Sequence, residues 1–303
     1  MTEKKLSGWE STANSTMVIP DAEIDTSRYQ PNILNISFGP LSEHKADIYL
    51  PTCGERPWPL IVYIHGGAWM IGDKRKGFLT SIIDARNYGY AILSVDYRLY
   101  PNVVYPEFLY DVKAAVRWAR EHAREYGFDA GRFAAIGDSA GGNLALMLGL
   151  TADLPAFDGP YGNKEVSSAV QAVCDMYGPA ILDGDDAEFF RESGVTRQRL
   201  MTFNDGFNIY EPVFGSTDKA FLHAVSPVNL VRKDAPPILI QHGLRDSLVP
   251  YQHSRILAQR IREVCGDERV CLREYPERDH GDIGFVGEAN AKEVISFFDK
   301  YLK

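Results

Sequence analysis

The chain has 303 residues, of which 45% are hydrophobic, 12% aromatic and 24% charged, a composition that supports one large globular core. A formal net charge of −9 argues against nucleic acid or an anionic membrane surface as a partner. The longest apolar runs, at 60–64 and 90–95, are far too short to span a membrane, and four cysteines without a Cys-x-x-Cys pair are too few for a disulfide scaffold.

Residues 1–32 read as an N-terminal extension. Their lysine pair has no apolar stretch behind it, so no secretory signal is recognised and a cytoplasmic location is expected. From residue 33 strands and helices alternate. "ILNISFG" (33–39) and "KADIYLP" (45–51) predict two antiparallel strands, and "PLIVYIHGG" (59–67) and "YAILSVDYR" (90–98) predict strands buried on both faces. Apolar residues recur at helical spacing from Glu107 to Tyr126 and stop at Gly127, which predicts one amphipathic helix. "RFAAIGDSAGGNLALM" (132–147) reads as strand, tight turn and helix. Further strands are expected within 167–179, 236–246 and 269–275, and helices over 250–266 and 289–302. Crossover units of this kind make one α/β domain over 33–303 with a mostly parallel sheet. Residues 180–222 break the rhythm and scatter Phe189, Phe190, Phe203, Phe207, Tyr210 and Phe214 among charges, as a small cap or lid insertion would.

In such a sheet, ligands bind outside the carboxyl ends of the strands, so the residues just after each strand carry the chemistry. Four polar segments arrive there: His65-Gly66-Gly67-Ala68-Trp69, Gly137-Asp138-Ser139-Ala140-Gly141, His242-Gly243-Leu244-Arg245-Asp246 and Arg278-Asp279-His280-Gly281-Asp282. Ser139 has two readings, a helix N-cap or a nucleophile on a strained turn. A carboxylate and a histidine at the same edge favour the nucleophile. His280, in a loop after the last strand, is the expected base, and Asp246 the carboxylate that orients it. His65 and His242 read as structural, and Asp279 and Asp282 as solvated loop acids. Amides of Gly67, Ala68 and Ala140 suit an oxyanion hole. Trp69, Phe189 and Phe207 are candidate substrate contacts, with core packing as the competing role. No histidine pair has metal-ligand spacing and no complete phosphate-binding glycine motif occurs, so neither a metal nor a nucleotide is expected.

Taken together, "HGGAW", "VDYRLYP", "GDSAGG", "HGLRD" and "DHGD" resemble the α/β-hydrolase superfamily. The likeness is to carboxylesterases of its hormone-sensitive-lipase-like and feruloyl/acetyl-xylan-esterase-like branches, and it covers roughly residues 33–303. It implies a three-layer fold with helices on both faces of the sheet. It also implies a Ser139–His280–Asp246 triad, oxyanion donors Gly67, Ala68 and Ala140, and no cofactor. A small-molecule or carbohydrate-linked ester is the expected substrate, of acetyl or feruloyl type. The sequence reads HGGA where hormone-sensitive-lipase-like enzymes commonly have HGGG, which tilts the comparison toward the smaller esterases. An amide-cleaving relative with the same triad and a catalytically idle binding module are the alternatives, and a homo-oligomer is compatible with the chain.

Overall fold

The computed structural model describes residues 23–184, 186–195 and 209–303. Eight strands form one sheet: β1 (Asn32–Ser37), β2 (Lys45–Tyr49), β3 (Trp58–Ile64), β4 (Ala91–Val95), β5 (Phe128–Asp138), β6 (Ala172–Met176), β7 (Ile238–Gly243) and β8 (Val270–Tyr275). Their order is β1-β2-β4-β3-β5-β6-β7-β8. The β1–β2 and β2–β4 pairs are antiparallel and every other pair is parallel.

The helices are α1 (Glu107–Glu121), α2 (Ala123–Tyr126), α3 (Ala140–Leu150), α4 (Asp186–Ser193), α5 (Tyr210–Val213), α6 (Lys219–Ala224), α7 (Gln252–Cys265) and α8 (Glu288–Leu302). Side chains alternate across a strand. Leu60, Val62 and Ile64 of β3 therefore enter one core with α1, α3 and α7, while Ile61 and Tyr63 enter a second core with α8 and the 3₁₀ segments Gly77–Ser81 and Ile83–Tyr88. Helices on both faces make three layers. α3 is buried along its whole length, as a helix apolar on all sides must be.

The expected helix over 107–126 is two. His122 separates α1 from α2, its backbone N–H and its Nδ1 both bonding the Trp118 carbonyl. All four cysteines are free thiols. Among the described residues, no helix is long and apolar enough to cross a membrane.

The sheet order also locates a crevice. From β3 the chain crosses to β4 on one side, whereas from β5 it proceeds to β6 on the other. The reversal lies between β3 and β5, where loops leaving the carboxyl ends of the two strands diverge and leave room for a ligand. Residues 65–72 and Ser139 flank that point.

Candidate active site

Ser139 connects β5 to α3 with φ 53° and ψ −117°, a conformation that costs an ordinary side chain energy and that its surroundings hold in place. Its amide donates to the Met176 carbonyl at 2.8 Å and its carbonyl accepts from Asn143 N–H at 3.0 Å. The flanking glycines are steric necessities. A Cβ on Gly137 would strike the Gly141 carbonyl, and one on Gly141 would strike the carbonyls of Ile64 and His65. Gly141→Ala is therefore expected to lower stability by about 1–3 kcal/mol in urea denaturation. An unchanged midpoint would show that the elbow tolerates separation from β3. The hydroxyl makes no capping bond to α3. It lies instead 3.0 Å from His280 Nε2.

His280 Nδ1 lies 2.8 Å from Asp246 Oδ2. A carboxylate can only accept, so Nδ1 carries the proton and the Nε2 lone pair faces Ser139. The other carboxylate oxygen, Oδ1, accepts from Leu248 N–H at 2.9 Å and Val249 N–H at 2.7 Å. His242 donates from Nε2 to the Val249 carbonyl at 3.0 Å, which brings that nitrogen to 3.2 Å from Asp246 Oδ2. Burial opposes the Asp246 charge, yet the nearby His280 charge and the bonds from both histidines outweigh it and hold the carboxyl well below its usual range. For His280 burial pushes the imidazole down. The carboxylates of Asp246, Asp279 and Asp138 prevail and raise it above 6.5.

The two acids flanking His280 are not solvated. Asp279 is buried because its Oδ1 accepts from Ser247 N–H at 2.9 Å, Ser247 Oγ–H at 2.7 Å and His280 N–H at 2.6 Å, which clasps the histidine loop to the Asp246 loop. Asp282 is buried where it caps the turn at Gly284 N–H, at 2.7 Å.

After β3, Gly66 N–H is engaged by Asp138 Oδ1 at 3.2 Å, so the candidate oxyanion donors of the loop are the amides after it. Gly67 has φ 111°, and a Cβ there would strike the Ile71 carbonyl. Ala68 follows at φ 55°. Gly67 and Ala68 share with Ser139 and His280 the wall of a cavity of about 290 Å³, whose apolar side is Ile71, Phe78, Tyr177 and Leu248. Ala140 opens α3, where a first-turn N–H has no acceptor within the helix.

Trp69 and Phe189 lie elsewhere. Trp69 is 2% exposed and packs on Phe108, Tyr210 and Phe214, with ring centroids 6.2, 6.3 and 5.5 Å away. Phe189 sits edge-on to His253, 5.9 Å away. Neither lines the cavity. Phe207 lies outside the described residues. His65 is structural as expected, donating from Nδ1 to the Gly66 carbonyl at 2.7 Å and stacking on Tyr97. Sequence reasoning passed over Tyr177, Leu248 and Asp138. Tyr177 could have been found by the same edge rule, since it directly follows β6.

The family model BD-FAE matches residues 46–261, a span that includes Ser139 and Asp246. The chain belongs to the BD-FAE family. Esterase LipC of Mycobacterium tuberculosis is 32% identical to this BD-FAE chain over 75% of its length and 53% of LipC. This chain thus spans about half the length of the curated relatives it matches. A solved truncated form of a carbohydrate esterase from gut microbiota superposes with TM-score 0.78 at 25% identity, covering 92% of this chain and 99% of that one. Thermophilic esterase Est2 from Thermogutta terrifontis superposes with TM-score 0.64 at 26% identity over 84% of this chain and 85% of its own. The fold of this BD-FAE member is the three-layer α/β-hydrolase fold.

Proposed function

We propose that the chain is a serine carboxylic ester hydrolase with Ser139 as nucleophile, His280 as base and Asp246 as the group that orients it. The observation that carries this reading is the continuous Asp246–His280–Ser139 contact, 2.8 Å and then 3.0 Å, opening on one cavity. His280 Nε2 takes the Ser139 proton as Oγ attacks the ester carbonyl. The oxyanion that forms lies against the amides of Gly67, Ala68 and Ala140, each donor worth about 10²–10³ in rate by analogy with other oxyanion holes. His280 then passes its proton to the departing alcohol and next activates a water against the acyl-enzyme. None of these steps calls on a cofactor.

A cavity of about 290 Å³ is small for a ligand site, which supports a short acyl group such as acetyl. The likeness to a carbohydrate esterase supports a sugar-linked alcohol, which the polar residues Asp73 and Lys76 in the cavity wall would suit. Residues 33–303 act in this reading as one hydrolase domain. Segment 180–222 is its cap, and its Tyr210 and Phe214 brace the Trp69 turn next to the oxyanion loop.

The test is labelling by a fluorophosphonate. One adduct per chain, mapped by mass spectrometry to Ser139, is expected, and folded protein that takes no label would sink the proposal. The histidine adds a pH signature. Because only neutral His280 can accept a proton, kcat/KM on nitrophenyl acetate is expected to rise with pH through an inflection above 6.5, the ordinary histidine value. A flat profile from pH 5 to 9 would remove His280 as the base.

A further inference from the structure

Asp138 precedes the proposed nucleophile and is 5% exposed, a buried carboxylate that the mechanism above does not use. It ends β5, yet its side chain reaches across to β3 and the loop beyond. Oδ1 accepts from Tyr63 Oη–H at 2.9 Å and from Gly66 N–H at 3.2 Å. Oδ2 lies against the Gly66 Cα so closely that a Cβ there would collide with it. Two further side-chain bonds hold this peptide group and the next. Tyr97 Oη–H donates to the His65 carbonyl at 2.8 Å, and His65 Nδ1 donates to the Gly66 carbonyl at 2.7 Å. The peptide planes on either side of Gly66 are thereby held by three side chains. The second plane carries the Gly67 N–H, the Ala68 N–H follows one plane later, and of the three anchors Asp138 is the one that comes from the nucleophile's own strand.

On the serine-hydrolase reading above, we infer that Asp138 is a positioning residue that locks the oxyanion loop to the nucleophile elbow, setting the distance between Ser139 and the Gly67 and Ala68 amides. Geometry of this kind acts on the transition state. A hole displaced by a fraction of an ångström still admits the planar ester but no longer meets the developing oxyanion. Burial pushes the Asp138 carboxyl up to about 6, against the opposing bonds from Tyr63 and Gly66 and the His280 charge, so at pH 8 the anchor is a carboxylate.

The experiment compares wild type, Asp138→Ala and Asp138→Asn at pH 8 on nitrophenyl acetate. A trifluoromethyl ketone serves as a probe of the tetrahedral oxyanion. Alanine removes the acceptor, and kcat is expected to fall about 10²-fold with KM within about threefold. Ketone affinity should weaken by the same factor as kcat/KM. Asparagine keeps an acceptor oxygen for both donors and should recover most of the loss. Should the alanine chain fail to fold, Tyr63→Phe, which removes one of the two bonds to Oδ1, carries the test: its ketone affinity must weaken in step with kcat/KM, while Asp138→Asn stays close to wild type in both. Unchanged kcat, a loss confined to KM, or ketone affinity that does not follow kcat/KM would overturn the inference. An inactive wild type would overturn the serine-hydrolase reading instead.

Discussion

Replacing Ser139 by alanine is expected to lower kcat by about 10⁵–10⁶-fold and to abolish fluorophosphonate labelling while leaving the fold intact. The separation of the two effects follows from what the hydroxyl touches. Its contact is with His280 Nε2, and it makes no capping bond to α3, so removing it leaves no helix terminus unsatisfied. The turn itself is held by backbone atoms, Ser139 N–H to Met176 and Ser139 carbonyl to Asn143. Alanine at φ 53° bears the same backbone strain as serine, so the denaturation midpoint should stay within about 0.5 kcal/mol of wild type. Some rate above the uncatalysed reaction should survive, because the oxyanion amides and the cavity remain in place. A Ser139→Ala chain retaining a tenth of wild-type activity would mean that water, activated directly by His280, is the nucleophile.

The choice between N-cap and nucleophile for Ser139 shows what a sequence of this kind discloses. "GDSAGG" alone leaves the question open. The steric role of its glycines is legible from their size, and Gly137 and Gly141 do stand where any Cβ would strike backbone. The placement of Asp246 and His280 follows from strand order, since each lies in the loop after a strand of the parallel part of one sheet. Contacts between loops were beyond reach. Asp279 looks like a solvated acid because its partner Ser247 is 32 residues away, and only the fold brings the two together. Asp138 lies next to the serine in sequence, but its use depends on β3 pairing beside β5. The aromatic residues of 180–222 fit a substrate pocket or a packed cap equally well by composition. Among the described residues, Tyr210 and Phe214 turn inward onto Trp69, with Phe214 also stacked on Tyr105, and none of the segment lines the cavity. The break at His122 depends on a side chain turning back onto its own helix, which periodicity does not register.

Asp246→Asn is expected to cost about 10⁴ in kcat, more than loss of a single charge–charge contact would suggest. The reason lies in the two carboxylate oxygens having different partners. Oδ1 accepts from Leu248 and Val249 N–H at 2.9 and 2.7 Å, so an asparagine must place its carbonyl oxygen there. Its NH₂ group is then forced toward His280 Nδ1, now 2.8 Å from Oδ2. Two donors cannot face each other, so His280 must surrender the Nδ1 proton and carry it on Nε2. There it points at Ser139 and cannot accept the hydroxyl proton. The same NH₂ group would oppose His242 Nε2–H, which lies 3.2 Å from Oδ2 and already donates to the Val249 carbonyl. Stability should therefore fall as well, by about 1–3 kcal/mol, as a buried donor is left without an acceptor. Loss of the negative charge removes the main influence that raises the His280 pKa, so what activity remains should show its inflection at lower pH than wild type. The kcat/KM–pH profile of the two chains tests the shift, and an imidazole proton spectrum tests the tautomer, since the downfield Nδ1–H resonance should vanish in the variant. A variant within tenfold of wild type, or one that keeps that resonance, would show that Asp246 does not set the state of His280.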